Sequence, residues 1–390
     1  MSLTLEREGN IVRTMHPVLM TGVNEWNEDW LPRDEYDERL RALRQIMAEK
    51  GWDGLVIHGD CDRCPMVTYL TNYYPISRWS ILFVGPEGEP KLLIAGGTRD
   101  IPAAVDQSNL REMFSYGNAD KLLPEWITGV RGRSRARIGS YGFATMRPPV
   151  HQTILAVLEA IAEPEQADDL LDEQLLQRKR PREVRMITMA SEIVHRALDS
   201  LAVAFRSGAA ATEAAIAAER TARLAGVQDV RILVSFDAGR TLQPFIRMKP
   251  TRQNPQVAYV AARYCGYWSE AMATLSPKPY PPIQAAVSEL DSMIKELKPG
   301  MSGAQLSAVA EGVSAAASRH PLVRDRIGYG IGLSLEETPI LRSDSTPIIR
   351  EGGVYALHTG RDADDGAALT SAVVHVTGDS ARILCGYPNS

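Results

Sequence analysis

Helix-patterned and strand-patterned segments alternate along almost the whole of a 390-residue chain, which restricts it to mixed α and β architectures. The length exceeds what one core usually holds, so two domains are expected. From Pro32 to Lys50, leucines and Met47 recur at three- and four-residue spacing among many charges, the pattern of an amphipathic helix. GWDGLVIHG (51–59) reads as a buried strand. YLTNYY (69–74) and WSILFVGPEGEPKLLIAG (79–96) read as further strands around a Gly-Pro turn. The alternation to about residue 170 predicts an α/β domain.

Residues 171–190, LDEQLLQRKRPREVRMITMA, carry a cationic run and a proline, and read as a solvated linker opening a helix at Pro181. Two alanine-rich helices follow up to Gly226. DVRILVSF (229–236), QVAYVAARYCGYWSEAMATLSP (256–277), GGVYALHTG (352–360) and AALTSAVVHVT (367–377) read as strands, with two helices over 281–320 broken at Pro299-Gly300. Helix pairs between strands suit a two-layer α+β domain. The expected division is an N-terminal arm (1–31), an α/β domain (32–177) and an α+β domain (178–390).

A net charge of −5 offers no general attraction to nucleic acid or to anionic membranes. No apolar run nears the roughly 18 residues that cross a bilayer. The N-terminal segment lacks the apolar core of a signal peptide. A cytoplasmic protein is expected. Cys61 and Cys64 form a lone C-x-x-C without a second pair, so two reduced thiols are expected rather than a zinc site.

GYGIGLSLEETP (328–339) resembles the G-H-G-I-G-L-x-x-H-E-x-P segment of the M24 metallopeptidase family, which includes prolidase, aminopeptidase P and creatinase. QRKRPREVRMITMASEIVHRAL, LKPGMSGAQL and EGGVYALHTG…TSAVVHVTGDSARIL resemble its linker, its Pro-Gly helix start and its closing strands. The resemblance covers roughly residues 32–390. It implies an α+β protein with a C-terminal pita-bread domain and a smaller N-terminal creatinase-like α/β domain.

Metal-dependent members hold two divalent ions with five side chains, mostly carboxylates with one imidazole. Carried onto this chain, those positions become Tyr259, Glu270, Tyr329, His358 and Ser371. One carboxylate and one imidazole cannot replace five ligands, so no metal and no cofactor is expected. Creatinase implies how such a site works without metal, with a histidine moving protons. Its proton-transfer histidine has no match in GRTLQPFIRMKP (239–250).

The expected catalytic residues are therefore His358, Glu270, Tyr259 and Tyr329. Imidazole both takes and gives a proton near neutral pH, a carboxylate orients it, and phenols donate to a developing oxyanion. Arg78, Arg240 and Arg247 are candidates for a substrate carboxylate. Glu336 and Glu337 are candidates for a cationic group, Trp268 for a pocket wall, and Ser371 for a substrate contact.

The resulting expectation is a metal-independent enzyme acting on a small polar, carboxylate-bearing molecule, by hydrolysis of a C–N bond or by elimination. A non-catalytic binding module is the second reading, and a metal-dependent aminopeptidase with a different ligand map is the third. The resemblance also implies a homodimer with the site near the subunit interface, Arg78 acting in trans.

Overall fold

The helix foreseen after Pro32 forms because its apolar positions share one stripe. Helix α1 (Arg33–Lys50) buries Tyr36, Leu43, Ile46 and Met47. Asp34 and Glu35 stand in its first turn and Lys50 in its last, as the helix dipole favours, and Gly51 ends it at φ 66°. The computed structural model describes residues 3–4, 26–75, 78–131, 135–244, 254–311 and 318–386. Arg247 and most of the expected N-terminal arm lie outside them. The chain divides into two compact units, Met1–Leu176 and Gln177–Ser390.

A seven-stranded sheet organises the first unit. Its strands are β1 (Leu3–Thr4), β2 (Gly54–Asp60), β3 (Trp79–Val84), β4 (Lys91–Ile94), β5 (Glu112–Ser115), β6 (Ala136–Tyr141) and β7 (Ala162–Gln166). They lie in the order β1-β5-β4-β3-β2-β6-β7. YLTNYY is not a strand. Its first half ends helix α2 (Pro65–Thr71), which Asn72 closes at φ 58°. All seven residues of α2 are buried, so no polar period distinguishes helix from strand; Pro65 in the first turn and Asn72 after the last decide it. Helix α3 (Pro148–Ile161) makes the crossover between the parallel strands β6 and β7.

In the second unit, α4 (Pro181–Arg206) opens at the foreseen proline, where Glu183 Oε2 accepts the Arg180 amide at 3.0 Å. The cationic run before it is not wholly solvated. Lys179 is buried, its Nζ donating to Glu337 Oε2 at 2.5 Å, and its amide is bonded to the Gly352 carbonyl. A run of charges in sequence does not tell which one turns inward to a partner 158 residues away.

After α5 (Ala211–Leu224), strands β8 (Asp229–Val234), β9 (Gln256–Tyr264) and β10 (Tyr267–Leu275) form an antiparallel sheet ordered β10-β9-β8. Helices α6 (Pro281–Glu296) and α7 (Gly303–Glu311) precede the second sheet. Its strands are β11 (Arg326–Gly330), β12 (Glu337–Arg342), β13 (Val354–Ala363), β14 (Gly366–Thr377) and β15 (Ser380–Gly386), ordered β12-β11-β13-β14-β15. Leu290, Met293 and Leu297 pack with Ile327, Leu341, Leu357 and Val374 in the core between α6 and this sheet.

Where β10 meets β14, hydroxyls replace a strand ladder. Thr274 Oγ1 donates to the Leu369 carbonyl and accepts the Leu369 amide, each at 2.8 Å, and Ser371 Oγ accepts the Met272 amide at 2.7 Å. The two sheets thereby bring β9, β10, β11 and β13 to one place.

Candidate active site

The β9–β10 hairpin turns through Cys265 at φ 48° and Gly266 at φ 84°, the two positive φ values of a tight hairpin turn. The turn sets the register: Glu270 lies opposite Ala261 and Met272 opposite Tyr259. Tyr259 and Glu270 are thus diagonal neighbours on one face. In the other sheet Tyr329 pairs with Ala356 and His358 with Ser371, so Tyr329 and His358 are diagonal neighbours too. The glycines beside Tyr329 permit the close strand approach. A Cβ on Gly328 would lie 2.2 Å from the Ala356 carbonyl oxygen, and one on Gly330 2.8 Å from that of Thr338.

The two diagonals converge on Glu270, which is fully buried. Its Oε2 accepts the Tyr259 hydroxyl at 2.5 Å and the Tyr329 hydroxyl at 2.6 Å. Its Oε1 faces His358 Nε2 at 2.5 Å. The Tyr329 and His358 rings meet edge-on, 5.0 Å between centroids. Burial by itself would raise the Glu270 carboxyl, but the His358 charge and the bonds from His358, Tyr259 and Tyr329 hold it below its ordinary value. Both phenols are pushed well above theirs, by burial first and then by the neighbouring Glu270 charge, so they stay protonated donors.

The remaining expected residues, among those described, are engaged with other partners. Ser371 is beside His358, but its oxygen is engaged with the Met272 amide. Arg240 is exposed and donates to the Asp364 carbonyl at 2.8 Å. Trp268 is buried with Arg231 and Arg263 over its ring at 4.9 and 5.7 Å. Glu337 is consumed by Lys179 and by the Ser334 amide. Glu336 is half exposed and pairs with Arg326 at 2.6 Å. Arg78 belongs to the first unit, where it donates to the Ala95 carbonyl at 2.7 Å.

Arg326 escaped the sequence reading. Its guanidinium lies 4.7 Å from the Tyr329 ring centroid. Nothing in RDRIGYG distinguishes it from a surface arginine, because its approach depends on the bulge between Arg326 and Gly328. A second ionic cluster also escaped notice: Glu289 on α6 pairs with Arg319 at 2.8 Å and with buried Arg361 at 2.9 Å. Arg361, three residues beyond His358, projects from the opposite face of β13.

The model of metallopeptidase family M24 matches residues 185–383, and that of the creatinase/prolidase N-terminal domain matches residues 39–174. The chain belongs to metallopeptidase family M24. A putative dipeptidase of Bacillus subtilis, YkvY, is 24% identical over 372 residues, covering 90% of this chain and 98% of that protein. The Xaa-Pro dipeptidase from Bacillus anthracis superposes with a TM-score of 0.72 at 16% identity, covering 91% of this chain and 99% of that one. The N-terminal domain of the FACT complex subunit SPT16 from chickpea does so with a TM-score of 0.66 at 13% identity, covering 90% and 96%. These structures share the fold, a creatinase-type N-terminal domain followed by a pita-bread domain.

The resemblance to M24 assigns the family's metal-ligand positions to Tyr259, Glu270, Tyr329, His358 and Ser371 of this chain. The five positions supply two phenols, a carboxylate, an imidazole and a hydroxyl. The carboxylate already accepts from three donors and the hydroxyl from an amide. This donor set does not fit two divalent cations. Among the described residues, no group of three or more His, Cys, Asp or Glu could hold a metal ion.

Proposed function

We propose that the second unit is a metal-independent hydrolase of a C–N bond in a small polar molecule, with His358 as general acid and base. The observation that carries this reading is the pairing of His358 Nε2 with Glu270, while Nδ1 bonds nothing among the described residues. A carboxylate on one ring nitrogen fixes the tautomer and leaves the other nitrogen as a base.

In this reading His358 Nδ1 takes a proton from water as the water oxygen bonds to the amide or amidine carbon. The C–N bond then breaks, and the imidazolium returns the proton to the leaving nitrogen. Glu270 positions the ring and balances the imidazolium charge. Tyr259 and Tyr329 fix the carboxylate, so their role is positioning rather than oxyanion binding. Membership of a peptidase family and the likeness to a putative dipeptidase support hydrolysis over elimination. The reading extends to a cytoplasmic homodimer; among the described residues no helix is long and apolar enough to cross a membrane.

One observation favours the second reading, a non-catalytic binding module. Tyr259 and Tyr329 fill family metal positions, and their hydroxyls are satisfied internally. The test is amine release from a panel of dipeptides and N-amidino amino acids in chelator-treated buffer. The wild type should turn over at least one of them, and His358→Asn should lose activity by about 100-fold or more with an unchanged melting curve. Equal activity in the variant removes His358 from the mechanism. No turnover by the wild type leaves the binding module.

A further inference from the structure

The arginine that opens α1 lines a cavity of the first unit, away from the residues gathered at Glu270. Arg33, Asp37, Leu40 and Arg44 follow one another at three- and four-residue intervals, so they form one stripe along α1. That stripe, the β3–β4 turn and the approach to β5 enclose about 400 Å³. The volume falls within the roughly 300–1,000 Å³ of small-molecule sites and exceeds what a lone ion fills.

Arg33, Arg44 and Arg111 all line this cavity, and they are not equally engaged. Arg33 faces Glu89 at 3.5 Å and donates to the Asn109 carbonyl, so its charge is answered within the wall. Arg44 donates through Nε to the Gly85 carbonyl at 3.1 Å and through Nη2 to that of Gly88. These carbonyls clamp the guanidinium, Glu87 acts on its charge from outside the lining, and Nη1 bonds nothing among the described residues. Arg111 is exposed and has neither a hydrogen bond nor an ion pair among them. Asp37, the one other anion of the lining, has no partner among them either. The wall also carries an orphan acceptor. Asn109 is 7% exposed, and its Oδ1 has no hydrogen-bond partner among the described residues. Its Nδ2 reaches the Leu70 carbonyl only at 3.5 Å, so turning the amide costs little. A buried acceptor without a donor is rare and costly, and a bound hydroxyl would relieve it. Leu40, Leu70, Pro90 and Leu110 supply apolar surface between the polar groups.

We propose that this cavity binds a small organic phosphate bearing hydroxyl groups, of the class of a nucleoside monophosphate. Arg111 and Arg44 take the phosphate, a dianion that matches two guanidinium groups. Asp37 and Asn109 Oδ1 accept the sugar hydroxyls, since carboxylate and amide oxygens are acceptors and a hydroxyl donates. The apolar side chains take one face of the base. An acidic amino acid carries the same two negative charges, but it is too small to cover those side chains as well. The site stands apart from the hydrolase reading, which concerns the second unit.

The test is calorimetric titration of the full-length protein with adenosine monophosphate, its dideoxyribose analogue, adenosine, ribose phosphate and glutamate. The wild type should bind adenosine monophosphate about tenfold or more tightly than adenosine, and several-fold more tightly than ribose phosphate or the dideoxy analogue. Arg111→Gln should weaken the nucleotide about tenfold and leave adenosine unchanged. Arg111 is exposed, so its replacement leaves the core intact. Asp37→Ala should erase the preference for the nucleotide over its dideoxy analogue. The proposal is overturned by a nucleotide that does not bind at millimolar concentration or binds no better than adenosine. It is equally overturned by unchanged nucleotide affinity in Arg111→Gln, by a hydroxyl preference that survives Asp37→Ala, or by glutamate binding more tightly than the nucleotide.

Discussion

Replacing Glu270 with alanine removes the shared acceptor of two phenols and one imidazole in a fully buried place. Each donor left unsatisfied costs about 1–3 kcal/mol. Removing one partner of a buried ion pair costs about 3–5 kcal/mol. The two estimates count the same lost contacts, so the expected destabilisation is about 4 kcal/mol rather than their sum. Glutamine keeps an oxygen for the phenols, and its amide can donate to His358 Nε2 once the ring changes tautomer. It also relieves the desolvation of a buried charge, so its expected cost is only about 1–2 kcal/mol. Trp268 is the only tryptophan after Trp126, so urea unfolding followed by its fluorescence, corrected with Trp268→Phe, reports the second unit by itself. A separate signal is needed because two units need not unfold in one transition. An alanine cost below about 1 kcal/mol, or equal costs for alanine and glutamine, would refute the view of Glu270 as a tether between the two sheets.

Because the folded Glu270 carboxyl is held below its ordinary value of 4.5, its stabilising contribution is present above that pH and lost as pH falls through the lower folded value. The stability gap between wild type and Glu270→Gln should therefore narrow between neutral pH and about pH 3, as measured by urea titration at each pH. Lys179→Met leaves Glu337 buried and unpaired, and should cost about 3–5 kcal/mol; adding Glu337→Leu should restore most of it in a double-mutant cycle. Protein purified without chelators should carry less than ~0.1 equivalent of Mn, Fe, Co or Zn by elemental analysis. Dialysis against EDTA should move its melting temperature by less than about 1 °C, since a bound ion would have added stability by mass action.

The helix at Arg33–Lys50, the helix start at Pro181 and the strand character of 256–277 were all readable, because each rests on local rules: period, proline position, turn residues. So was the meeting of Glu270, His358, Tyr259 and Tyr329, through a resemblance that maps distant segments onto one site. The α2 helix was not, since a wholly buried short segment shows no period. What the sequence by itself determined is most of the order of elements and the M24 fold. What only the tertiary structure decided is how the remaining charges pair: Lys179 with Glu337, Arg326 with Glu336, Arg319 and Arg361 with Glu289. Electrostatic partners are selected by distance and burial, and pairs separated by up to 158 residues leave no periodic trace along the chain.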